Sequence, residues 1–227
     1  MRLFFQRKAR LNAAQQQRLA RLPAPHSKQA LNQRLVVVDV EATGLNTRRD
    51  HILAIGAVAL EQGAVMLNQR FYCVLNREHE VNDTVLIHRL GPETLAQGVS
   101  VEEGLLAFLE FVGASPLFAF HARYDAQLLT RECKQHLKYK LQHPVVDVAQ
   151  MAPLLMAETP QQNTLETWLA RLGLSVSERH NALADAYATA KMLALLLNKA
   201  QRQHISTLMQ LQSALKRQAQ EQLPAMF

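Results

Sequence analysis

The sequence predicts an α/β fold in which helices flank a mixed five-stranded sheet. Three observations support this prediction. Three strand-like runs follow one another before residue 76, a helical period then alternates with two shorter strand-like runs, and 48% of the 227 residues are hydrophobic, enough for one sizeable core. Three antiparallel strands followed by strand–helix alternation produce a mixed sheet that is covered by helices.

Five runs of β-branched and apolar residues are predicted as strands. They lie at residues 35–40, 52–60, 65–75, 117–120 and near 145–146. The first run is apolar at every position except Asp39, as expected of a central strand buried on both faces. The second and third runs are separated only by residues 61–64, a connection short enough for a hairpin.

Apolar residues at helical spacing occupy most of the remaining chain. We predict helices at residues 3–22, 101–112, 122–137, 147–157, 163–172, 181–198 and 200–222. Pro23 and Pro25 end the first helix, and Gly173 ends the fifth. The resulting order of strands and helices is typical of a ribonuclease-H-like fold.

Charge is distributed unevenly along the chain. Residues 1–34 hold eight Lys or Arg and no acid, residues 35–198 hold 13 basic and 18 acidic residues, and the rest of the chain holds four basic and one acidic. We predict three parts, a basic helical extension and linker at 1–33, the main domain at 34–198 and a basic helical tail at 199–227. Basic tails beside an acidic domain suit a polyanion, although solvated helices or a docked protein explain them equally well.

Several protein classes are excluded by what the sequence lacks. No stretch approaches the roughly 18 consecutive apolar residues of a membrane span, and charge interrupts the first ten residues before a signal-peptide core forms. Cys73 and Cys133 form no Cys-x-x-Cys pair, which argues against a disulfide framework and a structural zinc site. No Gly-rich phosphate loop, dinucleotide fingerprint or His-Glu-x-x-His motif occurs. We expect a soluble, cytoplasmic protein that does not contact membranes.

Asp39 and Glu41 lie at the end of the predicted central strand, where side chains two residues apart point to the same face. Like charges this close raise one another's pKa, and a divalent cation between them resolves the conflict. Asp125 follows the fourth predicted strand, near the start of a helix. Each acid alone also fits a plainer role, with Asp39 bonding a turn, Glu41 facing water and Asp125 complementing a helix dipole.

His180 and Asp185 lie five residues apart at the start of another predicted helix, for which Asn181 is a suitable N-cap. A histidine before a helix is usually a surface residue, yet its ordinary pKa of about 6.5 suits proton transfer near neutrality. The order of the motifs is more informative than any one of them. Asp-x-Glu, Asp and His-x4-Asp follow one another, each at a strand end or a helix start.

At these positions the sequence resembles the DEDDh group of 3′-to-5′ exonucleases, which includes the proofreading epsilon subunit of bacterial DNA polymerase III, ribonuclease T and oligoribonuclease. Residues 38–45, VDVEATGL, are similar to the first motif of that group, and residues 180–186, HNALADA, to the third. The resemblance covers roughly residues 34–198. Two segments depart from it: FHA at 120–122 replaces the usual His-Asn-Ala, and IHRLG at 87–91 stands where relatives often have His-Gly-Ile-Thr.

The resemblance implies a hydrolytic site with two divalent cations. Asp39 would bridge both, Glu41 and Asp185 would complete the first cation site, and Asp125 would support the second. Such oxygen ligands suit Mg²⁺, and Mn²⁺ accepts the same set.

The resemblance also implies roles around the metal site. His180 would take a proton from the attacking water. The backbone at Ala42 and Thr43 and the side chain of Leu45 would hold the terminal sugar and base. The expected activity is release of nucleoside 5′-monophosphates from a free 3′ end of nucleic acid, with single-stranded DNA favoured.

Two alternatives remain open from the sequence. One is an exonuclease that acts on RNA or on oligoribonucleotides, since the 2′-OH is recognised by details of the pocket. The other is a non-catalytic module that binds nucleic acid or a polymerase, against which the complete set of four acids and one histidine argues. In either case the basic tails fit a polymerase or another protein partner.

Overall fold

The computed structural model describes residues 11–77, 90–158, 161–174 and 181–221. Five strands form one sheet in the order β3-β2-β1-β4-β5. They are β1 (Leu35–Ala42), β2 (Ile52–Glu61), β3 (Ala64–Val74), β4 (Leu117–Ala119) and β5 (Val145–Asp147). β2 is antiparallel to both β1 and β3, whereas β4 runs parallel to both β1 and β5. The predicted mixed five-stranded sheet is confirmed.

Helices cover the sheet in the described part of the chain. They are α1 (Ala13–Ala20), α2 (Pro92–Ala96), α3 (Val101–Val112), α4 (Arg123–Glu132), α5 (Val148–Met156), α6 (Leu165–Arg171), α7 (Ala182–Arg202) and α8 (Leu208–Glu221). The bounds of α3 agree with the prediction, and the short helix α2 was not predicted. None of the helices in the described segments combines the length and hydropathy needed to cross a membrane.

Of the helix predicted for 3–22, residues 3–10 lie outside the described residues and α1 covers Ala13–Ala20. The predictions for 122–137 and 200–222 also differ from the structure. In place of one helix over 122–137, α4 ends at Glu132 and a π-helical turn follows at Cys133–Leu137. The helix predicted for 200–222 is present as α8, but it begins at Leu208, because α7 extends to Arg202 and a turn separates the two helices. His204 has a φ of +60° at this turn. A residue in the left-handed conformation at the end of a helix is usually glycine. Because a histidine takes this conformation here, no glycine in the sequence marks the break between α7 and α8.

β1 is buried because helices cover both faces of the sheet. Val37 belongs to a core cluster with Trp168 on the side of α5, α6, α7 and α8. Val36 and Val38 pack with Phe108 on the side of α3 and α4. Since strand side chains alternate between faces, Asp39, two residues after Val37, projects toward the α7 side.

Part of the N-terminal segment packs against α3. Arg18 of α1 forms ion pairs with Glu103 at 2.6 Å and with Glu110 at 2.7 Å. Arg34 donates hydrogen bonds to the main-chain oxygens of Phe111 and Val112 at the end of the same helix. Two of the eight basic side chains in residues 1–34 therefore serve internal packing. The division of the chain at residues 33 and 198 stays a prediction.

Candidate active site

The C-terminal end of β1 carries two of the predicted acidic residues. Asp39 pairs with Gly56 of β2, and Glu41 lies two residues further along the same face. Asp185 reaches this face from the first turn of α7. Carboxylate oxygens of Asp39, Glu41 and Asp185 all lie within 4.8 Å of one another. The structure therefore brings these three side chains, from two distant segments, to one point.

The start of α7 is set by its N-cap. The side-chain oxygen of Asn181 accepts hydrogen bonds from the main-chain N–H groups of Leu183 at 3.1 Å and Ala184 at 3.2 Å. These bonds satisfy two donors that the first turn of a helix leaves without partners. The cap fixes where the helix begins, and with it the turn from which Asp185 projects. His180 directly precedes Asn181 and lies outside the described residues.

Asp125 approaches the same strand end from α4. One of its carboxylate oxygens accepts a hydrogen bond at 3.1 Å from the main-chain N–H of Val40, the residue between the two acids of β1. Burial raises the pKa of the Asp125 carboxyl, and the charges of Asp147 and Glu41 raise it further, while main-chain hydrogen bonds oppose the shift. A nearby divalent cation would favour the ionised form.

A hydrogen-bonded loop of residues 43–50 follows β1. Thr43 closes its base, because its main-chain N–H donates to the oxygen of His51 at 2.9 Å and its hydroxyl accepts from the N–H of His51 at 3.0 Å. The side chain of Leu45 is 91% exposed on this loop. The predicted substrate-binding residues Ala42, Thr43 and Leu45 thus continue directly from the acidic cluster.

α4 holds this loop in place. The hydroxyl of Tyr124 donates to the main-chain oxygen of Gly44 at 2.6 Å. The guanidinium of Arg131 donates to the main-chain oxygen of Thr47 at 2.6 Å and also to that of Asp50. Since α4 also carries Asp125, one helix positions both an acid of the cluster and the adjoining loop. These three hydrogen bonds join residues at least 80 positions apart, so no local pattern in the sequence predicts them.

A buried carboxylate in turn holds Arg131. Glu132 is fully buried and accepts a hydrogen bond from Arg131 at 2.8 Å, and it also pairs with Arg77 and with His51. Burial by itself would raise the pKa of Glu132, but its bonds to His51 and Arg131 and the charges of Arg77 and His136 outweigh burial and lower it to about 2. This ion-pair group anchors the C-terminal end of α4 behind the loop. No motif in the sequence marks any of its members.

The position that departs from the DEDDh pattern lies in the turn between β4 and α4. His121 has a φ of +56°, a left-handed conformation that asparagine adopts more readily than other non-glycine residues. Its main-chain N–H donates to a carboxylate oxygen of Asp147 at 3.0 Å. This hydrogen bond connects the turn to β5. Of the second departing segment, residues 87–89 lie outside the described residues.

The family of this chain follows from a match to a known family model. The RNase T family model, described as an exonuclease, matches residues 36–193, well over half of the chain. The chain belongs to this exonuclease family. The resemblance to the DEDDh exonucleases, which the motifs suggested, is confirmed.

The exonuclease domain is similar to parts of much longer bacterial proteins. It is 28% identical to the PolC-type DNA polymerase III of Clostridium perfringens over 175 residues and 27% identical to that of Bacillus subtilis over 167 residues. These alignments cover 76% and 73% of this chain but only 12% and 11% of the two relatives. The chain therefore spans about an eighth or less of their length.

Solved structures with the same fold include two nucleases. Exonuclease I of E. coli in a complex with single-stranded DNA superposes with a TM-score of 0.61 at 16% identity, covering 75% of this chain and 42% of that one. The nuclease domain of 3′hExo, a DEDDh family member bound to rAMP, superposes with a TM-score of 0.64 at 15% identity, covering 74% and 93%. These likenesses confirm the ribonuclease-H-like fold.

The donor set of the acidic cluster fits a divalent cation. Three carboxylates that lie within 4.8 Å of one another repel each other unless positive charge lies among them. Carboxylate oxygens are the ligands that hard cations prefer. Asp125 adds a fourth acid beside the same strand end. The site is therefore suited to the divalent-metal dependence of DEDDh exonucleases.

Proposed function

We propose that this protein is a metal-dependent 3′-to-5′ exonuclease, which hydrolyses the terminal phosphodiester bond of nucleic acid and releases nucleoside 5′-monophosphates. The observation that carries the proposal is the convergence of Asp39, Glu41 and Asp185 within 4.8 Å, in a chain of the exonuclease family. A module that only binds nucleic acid has no need to gather negative charge at one point, because phosphates are repelled by it.

Two Mg²⁺ ions are the proposed cofactor, with Mn²⁺ as a substitute. Asp39, Glu41 and Asp185 would hold one cation, and Asp39 with Asp125 would support the other. Bound cations supply charge that stabilises the attacking and leaving oxygens of a phosphodiester and lower the pKa of water. The hydrogen bond from Val40 orients the Asp125 carboxylate beside β1, so the four acids are preorganised by the sheet and by two helix starts.

His180 is the proposed general base. It immediately precedes Asn181, the N-cap of the helix that carries Asp185. A histidine at this position takes a proton from the attacking water near neutral pH, since its ordinary pKa of about 6.5 suits that transfer. This role predicts a rate that rises with pH through the pKa of His180.

The loop that follows β1 is the proposed site of the terminal nucleoside. Leu45 projects into solvent from a loop that Tyr124 and Arg131 hold by hydrogen bonds. Because the loop is already ordered, binding of a nucleoside to the apolar side chain costs little conformational entropy. A nucleobase stacks well on such a surface. The main chain at Ala42 and Thr43 would contact the sugar, which selects an end over an internal bond.

Single-stranded DNA is the favoured substrate in this proposal. It is supported by the similarity to PolC-type DNA polymerases and by the shared fold with exonuclease I, whose structure contains single-stranded DNA. RNA is the alternative substrate, since 3′hExo shares the fold and was solved with rAMP. A polymerase partner and a cytoplasmic location belong to the same proposal.

The proposal is tested with 5′-end-labelled DNA and RNA strands of matched sequence, digested with EDTA, Mg²⁺ or Mn²⁺. We expect a ladder that shortens from the 3′ end only when a metal is present, with DNA degraded faster than RNA. Asp39→Asn should abolish it, whereas Glu61→Gln, at an exposed site near the opposite end of the sheet, should not. Metal-independent digestion, or full activity of Asp39→Asn, would contradict the assignment.

A further inference from the structure

A groove beside the acidic cluster is formed by a helix that lies outside the family match. The match ends at residue 193, whereas α8 begins at Leu208. Leu208 and Leu211 are fully buried in the core cluster that includes α5, so α8 is seated on the domain. The exposed part of α8 therefore adds a wall that the matched region alone does not provide.

The groove has a volume of about 450 Å³. The C-terminal half of α8 forms one wall through Leu215, Lys216 and Ala219, and the first turn of α4 forms the other through Arg123 and Ala126. Residues Val145–Asp147 of β5 lie between these walls. Arg123 and Ala126 belong to the same first turn of α4 as Asp125, whose own carboxylate faces Val40 of β1 and does not line the groove.

The charges in the groove suit an anion. Arg123 and Lys216 are exposed, and among the residues that the structure describes neither forms an ion pair. Among the described residues of the lining, Asp147 supplies the one carboxylate, which already accepts hydrogen bonds from the main-chain N–H groups of His121 and Ala149. The cations of the groove are thus available to phosphate, unlike the guanidinium of Arg18, which is engaged with two glutamates.

We propose that this groove binds a single strand of nucleic acid on the 5′ side of the bond that is cleaved. Arg123 and Lys216 contact phosphates, and the apolar side chains of Leu215 and Val145 contact sugars or bases. This inference rests on the proposed function and deepens it, because it assigns the C-terminal helix to substrate binding.

Binding is tested without catalysis by fluorescence anisotropy, with a labelled 12-nucleotide oligothymidylate in EDTA. Lys216→Gln should weaken binding about fivefold. It should also lower the slope of log K against log salt by about 0.7, the value for one lost phosphate contact on a single strand. Arg217→Gln is the matched control, since Arg217 is exposed on the same helix but does not line the groove.

A small substrate separates this inference from the proposed function. The p-nitrophenyl ester of thymidine 5′-monophosphate has no strand to enter the groove, so Lys216→Gln should hydrolyse it with Mn²⁺ at the wild-type rate. Ala219→Glu, which adds negative charge to the lining, should weaken strand binding without changing this rate. Equal strand affinity and salt slope in the wild type, Lys216→Gln and Ala219→Glu would overturn the groove assignment. The same result is expected if the groove binds a protein and not a strand. Failure of the wild type to hydrolyse any substrate would instead overturn the proposed function.

Discussion

Gly56 of β2 lies in direct main-chain contact with Ala182, the first residue of α7. A Cβ atom at position 56 would be 2.2 Å from the carbonyl carbon of Ala182 and 2.3 Å from its oxygen. Gly56 also pairs with Asp39 in the sheet. The absence of a side chain at this one position therefore lets α7 approach the sheet closely enough for Asp185 to meet Asp39.

Gly56→Ala is expected to displace the start of α7 and to impair both folding and activity. Main chain cannot move aside as a flexible side chain can, so we expect a loss of about 2 kcal/mol in the free energy of unfolding, measured with urea. The rate of hydrolysis should fall more than about tenfold, because Asp185 shifts from its partners. Gly91→Ala is the control for stability, since a Cβ there meets no atom of the described residues within 4 Å. Equal stability of the two variants would refute the packing argument.

Asp125→Asn is expected to stabilise the metal-free protein while it abolishes hydrolysis. The amide oxygen still accepts the hydrogen bond from Val40, but the buried charge near Glu41 and Asp147 is gone. We expect a gain of about 1 kcal/mol in the free energy of unfolding at pH 8 in EDTA, with hydrolysis reduced at least about a hundredfold. Thermal unfolding and the end-labelled assay measure the two effects. A destabilised but active variant would contradict both expectations.

Metal binding should raise the unfolding temperature of the protein in the absence of substrate. A cation that binds only the folded state stabilises it by RT ln(1 + c/Kd) at a free cation concentration c, so the unfolding temperature rises with the logarithm of the cation concentration above Kd. We expect Mn²⁺ to raise the Tm of the wild type by several degrees and to have little effect on Glu41→Gln. Adding EDTA should reverse the shift. An identical Tm increase in the wild type and Glu41→Gln would place the bound metal elsewhere.

Arg131 is expected to act as a positioning residue for the loop at 43–50. Arg131→Met removes the donors to the oxygens of Thr47 and Asp50, so the loop that presents Leu45 loosens. We expect the KM for a strand to rise about tenfold with a smaller change in kcat, because the acids that are proposed to hold metal are untouched. Lys134→Met removes a charge from an exposed site just beyond α4 and should change neither constant. A fall in kcat alone would argue against a role in substrate binding.

The Glu132 ion pairs should make stability depend on acid pH. Their stabilisation is complete above the ordinary carboxyl pKa of 4.5 and is lost as pH falls toward the folded value of about 2, because the folded state binds this proton less readily than the unfolded state. Glu132→Gln should cost about 3 kcal/mol at pH 7 and flatten the pH dependence of unfolding in the acid range. Glu93→Gln, at an exposed site on α2, should leave that dependence unchanged. A wild-type pH profile in Glu132→Gln would exclude Glu132 as its source.

Local patterns in the sequence determined much of the fold and the composition of the candidate site. The apolar run of β1 and the two-residue period of a strand predicted that Asp39 and Glu41 share a face, which depends only on neighbouring residues. The cap at Asn181 likewise follows from its own helix. The end of α7 was predicted at residue 198, four residues before Arg202, because His204 takes a left-handed conformation without the glycine that usually marks the end of a helix.

Only the tertiary structure decided which distant residues meet. Arg131 donates a hydrogen bond to a main-chain oxygen of the loop, and Glu132 pairs with Arg77 and His51. These residues are too far apart in sequence for a local pattern to predict the contacts. The groove exists because α8 folds back onto α5, which depends on burial of Leu208 and Leu211. The sequence determines which chemical groups a site contains, whereas packing sets the distances between them. Here Gly56 lets the start of α7 pack against β2, and this contact sets the distance from Asp39 to Asp185.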